Sequence, residues 1–119
     1  MAFRYRKFKV YQDALKFHHV AMELIKSFPK EYTHLENQLK RAALSVSLNI
    51  AEGSAKHSDK DFNRYVMNSL GSVGESIACA EVAVMEGLIS QSRFVVFEKC
   101  GREINDQLGG LSKKLKVGS

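Results

Sequence analysis

Residues 45–76, Ser45-Val-Ser-Leu-Asn-Ile-Ala-Glu-Gly-Ser-Ala-Lys-His-Ser-Asp-Lys-Asp-Phe-Asn-Arg-Tyr-Val-Met-Asn-Ser-Leu-Gly-Ser-Val-Gly-Glu-Ser76, contain the end of one helix and the start of another. Gly53 predicts a left-handed turn closing the first of them, because glycine adopts positive φ without a Cβ clash. Ser58 is spaced to cap the next, with Asp61 three residues on in a box-like pattern. A tight, basic corner between two long helices follows, and the rest of the chain is expected to pair against them.

Outward from this corner, apolar residues keep helical spacing throughout. Upstream, the second helix starts at Thr33-His-Leu-Glu36, which reads as a capping box, and carries a core stripe of Leu35, Leu39, Ala42, Val46, Asn49 or Ile50, and Gly53. The first helix shows Tyr11, Leu15, His18, Met22 and Ile25 with Ala14 and Ala21 alongside, and ends near Phe28-Pro29, since proline disfavours helical geometry in the residue before it. Downstream, the third helix runs from Ser58 to about Gly87 with Val66, Leu70, Val73, Ile77, Ala80 and Val84 in one stripe. Small residues Ser69, Ser72, Ser76, Cys79 and Ala83 lie beside it. A fourth helix from Ser90 repeats Phe94, Phe97, Gly101, Ile104, Leu108, Leu111 and Leu115 in steps of three and four, a coiled-coil seam. Gly109-Gly110 predicts fraying of the tail, residues 112–119.

A chain of 119 residues, 45% apolar and 26% charged, with one proline and no tryptophan, is expected to form a single all-α domain: an antiparallel, up-down-up-down four-helix bundle preceded by a basic lead, residues 1–9. Neither a signal peptide nor a membrane-length apolar run is visible, so a cytoplasmic location is expected. Cys79 and Cys100 lack metal-site spacing and read as reduced helix residues.

The expected topology gathers charge. The start of the first helix, the turn between the second and third, and the end of the fourth share one pole of such a bundle. They hold Arg4, Arg6, Lys7, Lys9, Lys56, Lys60, Arg64, Lys113, Lys114 and Lys116, ten of the eighteen basic residues in a chain of net charge +5. Clustered cations of this kind suit RNA phosphates, and Phe3, Tyr5 and Phe8 among them suit stacking on unpaired bases. The same charge also fits a structural or protein-interaction module with no nucleic-acid role.

Two helix backs are under-charged. Leu44, Leu48 and Ala51 on the second helix, and Gly71, Glu75, Ala78 and Val82 on the third, are the expected contacts of a homo-oligomer. On this reading Glu75 reaches water or an arginine such as Arg41 or Arg64. Asn49 and Glu52 are expected to be structural polar residues, because no nucleophile, cofactor loop or second acid accompanies them. A di-metal bundle site needs two Glu-x-x-His pairs, and only Glu31-Tyr-Thr-His34 is present, at a helix start. No metal, cofactor, small-molecule substrate or catalytic activity is expected.

Asn49-Ile-Ala-Glu-Gly53, Ser58 with Phe62, Gly71-Ser72 with Glu75, Gly87-Leu-Ile and Leu108-Gly-Gly-Leu111 together resemble the proteins encoded by intervening sequences within bacterial 23S ribosomal RNA genes. The resemblance covers nearly the whole chain. It implies a compact four-helix bundle assembled as a pentameric barrel, without enzymatic activity. A related group, the accessory proteins of diversity-generating retroelements, implies RNA binding through a basic surface.

Overall fold

Apolar residues spaced by three and four give each helix one dry stripe, and four such stripes close on one another. The computed structural model describes residues 3–118, and Met1, Ala2 and Ser119, the ends of the expected lead and tail, lie outside the described residues. The chain passes through a 3-10 turn at Arg4–Lys7, then α1 (Lys9–Ile25), a second 3-10 turn at Lys30–Tyr32, α2 (Thr33–Ser54), α3 (Asp59–Met85) and α4 (Gln91–Gly118). No strand occurs among the described residues. Each helix packs on its neighbour in the chain and α1 packs on α4, which makes the expected antiparallel four-helix bundle, 45 × 22 × 20 Å.

The core is aromatic where α1 meets α4 and small where α2 meets α3. The rings of Phe17 and Phe97 stack 4.4 Å apart and are fully buried. Leu39, Val46 and Ile50 from α2, Val66 and Val73 from α3, and Ile104 and Leu108 from α4 are buried around them. Between α2 and α3 the buried Ser69 hydroxyl donates to the Val46 carbonyl at 2.8 Å, and Ser76 donates to Ser72 at 2.8 Å. Serines there cost little, because each buried hydroxyl has an acceptor, and their size lets the two helices approach closely.

Several local expectations are corrected. Gly53 is helical and buried inside α2, not in a left-handed turn. Its role is close approach: a Cβ built there would lie 2.7 Å from Tyr65 Cβ and 3.0 Å from Phe62 Cδ1. The left-handed glycine is Gly87, φ 75°, where Leu88 N–H donates to Ala83 O and Gly87 N–H to Val84 O, the paired bonds of a Schellman motif ending α3.

Thr33 is already inside α2, and its hydroxyl donates back to the Lys30 carbonyl at 2.7 Å, so the expected capping box does not form. The preceding 3-10 turn feeds the chain straight into the helix, while Glu36 pairs with Lys40 at 3.0 Å. Ser58 does cap α3, accepting from Asp61 N–H at 3.1 Å, and Ser90 accepts from Arg93 N–H at 3.2 Å before α4.

In α1 the buried stripe is Val10, Ala14, Phe17, Ala21 and Leu24, with Ile25 buried as expected, and Leu15 is exposed. Phe17 outweighs the weaker Tyr11–Leu15 pattern because a large ring buries more apolar surface. The α4 seam holds as expected, with Gly101 admitting Ile77 of α3, whose Cδ1 would lie 3.0 Å from an added Cβ. The tail does not fray within the described residues: α4 remains helical through Gly118, anchored by buried Ser112 and Leu115.

Candidate nucleic-acid interface

The end of the bundle nearest the N-terminus is built from three separate segments. After Lys7 the chain turns into α1 with Phe8 in extended conformation, which sends the Phe8 ring towards α3 to stack on Phe62 at 6.3 Å. One turn earlier, Arg4 Nε donates to the Ser54 carbonyl at the end of α2, 2.9 Å away, and its guanidinium lies 5.5 Å from the Phe62 ring centre. The carbonyl would otherwise be one of the unpaired acceptors at a helix C-terminus, where positive charge is favoured. From α4, Gln107 Nε2 donates to Asp13 Oδ2 at 2.8 Å, and Leu111 shares a small cavity of about 240 Å³ with Phe8 and Val10. The lead, the α2–α3 corner and the last turns of α4 therefore meet at one end, as the topology implied.

The ten cations are not equivalent. Lys9 pairs with Asp13 at 2.7 Å, which holds the Asp13 carboxyl below its ordinary range and raises the Lys9 ammonium, while Gln107 adds to the effect on Asp13. Lys56 lies 3.9 Å from Glu52, and Arg64 lies 3.8 Å from Asp61. Both also sit over the Tyr65 ring, at 5.0 and 4.7 Å from its centre. Arg6 covers one side of Phe3 at 4.9 Å. Lys7, Lys60, Lys113 and Lys114 are exposed with no ion-pair partner among the described residues, and Lys116 is exposed beside them. With the carboxylates that sit among its cations, Asp13, Glu52, Asp59 and Asp61, counted to this end, the remaining chain has eight cations against nine carboxylates, so the basic excess belongs to the end alone.

Tyr65 is a member of this surface that spacing did not single out. It lies three residues after Phe62 on α3, against Gly53, and the missing side chain at Gly53 lets it sit between Lys56 and Arg64. A Gly-x-x-Lys step into a helix start with Arg-Tyr on its second turn was the available signal, but only the packing of α2 on α3 joins the parts.

The remaining expected site residues lie elsewhere. Asn49 Nδ2 donates to the Ser45 carbonyl and hydroxyl at 2.9 and 2.8 Å, and Ser72 donates to the same hydroxyl at 2.9 Å. This chain of bonds stitches α2 to α3, and it holds no nucleophile with a neighbouring base. Glu52 is exposed beside Lys56. Glu75 is exposed on α3 and accepts from the Gln38 side chain of α2, so its partner is neither Arg41 nor Arg64. No group of three histidine, cysteine or acidic side chains among the described residues has metal-binding geometry. Cys79 is buried and Cys100 half-buried, both unbonded, and burial pushes both thiols above their ordinary range.

The outer faces of α2 and α3 carry exposed apolar side chains. Leu44 and Leu48 stay 43% and 54% exposed and Val82 48%, large values for side chains of this type, with Gly71 and Ala78 exposed between them. Ala51 is half-buried at the margin. No helix among the described residues is long and apolar enough to cross a membrane.

Residues 6–110 match the model of the family described as 23S rRNA-intervening sequence protein, a span that takes in α1, α2 and α3 whole and α4 as far as Gly110. No curated protein matches the chain.

Proposed function

We propose, for a chain that belongs to the 23S rRNA-intervening sequence protein family, a non-enzymatic role as an oligomeric helical module that binds RNA through its basic end. The observation that carries the reading is the meeting of three basic segments at one end, tied by the Arg4–Ser54 bond and the Phe8–Phe62 stack, while the rest of the chain carries a slight acidic excess. Four exposed lysines there, Lys7, Lys60, Lys113 and Lys114, have no carboxylate partner among the described residues and are open to phosphate. Phosphate neutralisation releases counterions and yields affinity with little sequence dependence.

Self-association is supported by the outer face of α2 and α3, where Leu44, Leu48 and Val82 expose apolar surface that a second copy would cover. The resemblance to intervening-sequence proteins favours a ring of five. In such a ring five weak phosphate sites on one rim act together.

The test is RNA binding measured against salt. Binding by the native chain should weaken steeply as salt rises. Neutralising three unpaired cations (Lys60→Gln, Lys113→Gln, Lys114→Gln) should lower the slope of log affinity against log salt by about 2, at roughly 0.7 per phosphate contact for single strands. An unchanged slope removes these lysines from the site, and absence of RNA binding by the native chain removes the reading.

A further inference from the structure

We infer that the basic end binds RNA through an unpaired base as well as through phosphates, with Phe3 the platform on which that base stacks. This rests on the RNA-binding reading of the same end and specifies its ligand: single-stranded RNA, or an unpaired nucleotide within a fold, in preference to continuous duplex.

The chain has seven phenylalanines and four tyrosines, all among the described residues, and Phe3, at 58%, is the one that is exposed. Every other ring is buried or half-buried. Of the three aromatic residues in the lead, two are committed to the fold. Phe8 stacks on Phe62, and Tyr5 meets Tyr11 edge-on at 4.7 Å. The ring contacts of Phe3 are with the lead: it lies edge-on to Tyr5 at 6.2 Å and beneath Arg6 at 4.9 Å.

Phe3 has φ 63° and ψ 40°, the left-handed region, and it is the sole non-glycine residue there among those described. Bulky L-residues rarely adopt this conformation. The 3-10 turn that follows is held at Arg4 by Ser54, so the strained residue sits at the edge of an anchored segment. The ring is thereby held outward beneath Arg6 instead of folding back onto the Phe8–Phe62 pair.

An exposed ring with a guanidinium on it is suited to a nucleotide. A base offers a π-face to Phe3, its phosphate offers charge to Arg6 and Lys7, and neither demands a particular sequence. Within continuous duplex RNA both faces of each base are occupied by neighbouring pairs, so the ring has nothing to stack on. An apolar protein partner would use the ring but not the surrounding cations, which favours RNA as its occupant.

The experiment compares a short mixed-sequence RNA strand with the same strand annealed to its complement, by fluorescence anisotropy at fixed low salt. The expected result is tighter binding of the single strand per nucleotide. Phe3→Ala should then lower the single-strand preference by about 5-fold or more, the range for removing one aromatic–base stack, and Phe3→Trp should retain it. Circular dichroism of each variant separates loss of stacking from loss of fold. A preference unchanged in Phe3→Ala, or equal loss on both RNAs, overturns the platform and leaves phosphate binding in place. If the native chain binds neither RNA, the basic-end reading fails as a whole.

Discussion

Arg4 Nε donates to the carbonyl of Ser54 at 2.9 Å, joining residues fifty apart in the chain, and its guanidinium lies over Phe62 on the helix that follows. One side chain thus caps the end of α2, packs on α3 and fixes the N-terminal turn. Arg4→Ala removes a charged donor from a partly buried acceptor, so unfolding in urea should show a loss of about 1 kcal/mol, the lower part of the range for such bonds because solvent reaches the site. Arg4→Lys should lose a similar amount although it keeps the charge, since an ammonium lacks the planar fork. Full stability in both variants would mean that the turn is held without this bond.

Gly53 and Gly74 both lie in helices, yet alanine should act on them in opposite directions. At Gly53 an added Cβ meets Tyr65 Cβ at 2.7 Å, whereas at Gly74 it meets nothing within 4 Å. Gly74→Ala should stabilise the protein by up to about 1 kcal/mol through helix propensity. Gly53→Ala gains the same propensity, but forcing α2 from α3 costs about 1–3 kcal/mol, so a net loss is expected. Thermal unfolding of both variants side by side checks the contrast, and stabilisation by Gly53→Ala would contradict the close approach.

Asp13 ties α1 to α4 by accepting from Lys9 and from Gln107. Its native carboxyl is held below the ordinary value of 3.8, first by the Lys9 bond, which outweighs the opposing cost of burial, and then by Gln107. A carboxyl lowered in the native state stabilises above its unfolded value, and that contribution is lost as pH falls through the lowered native one. Stability should therefore decline on acidification below about pH 4, and Asp13→Asn should flatten that decline without abolishing it. Glu23, lowered chiefly by Lys26, retains part of the same dependence. Equal acid slopes for the two proteins would show that Asp13 carries none of it.

Leu48 is more than half exposed on the outer face of α2, opposite the core. Leu48→Glu should leave the far-ultraviolet spectrum and monomer fold unchanged, while light scattering shows a smaller mass than that of the native protein. A glutamate on a covered face buries an unpaired charge, whereas on a solvated face it costs almost nothing. An unchanged oligomer would take α2 out of the contact.

Fold class, helix number and most of the core were legible because amphipathic spacing persists for five or more turns in α2, α3 and α4, and long periodic patterns average out local exceptions. The α4 seam from Phe94 to Leu115 is the clearest example. Topology followed from the short connections, and with it the gathering of cations at one end. Reading failed where two patterns competed over a few residues: Tyr11–Leu15 against Val10–Phe17 in α1, and a capping box at Thr33 against the 3-10 turn before it.

By itself, then, the sequence determined an all-helical bundle with a basic pole, since both depend only on periodicity and on the order of charged segments. Tertiary packing decided what each residue does within that frame. Gly53 became a contact point in place of a turn because Tyr65 lies against it, and Phe8 and Tyr5 were committed to other rings while Phe3 was left outward. Glu75 took Gln38 as its partner because antiparallel register sets those two residues side by side. Such assignments turn on distances between residues far apart in the chain, which depend on how closely two helices approach and not on the spacing within either one.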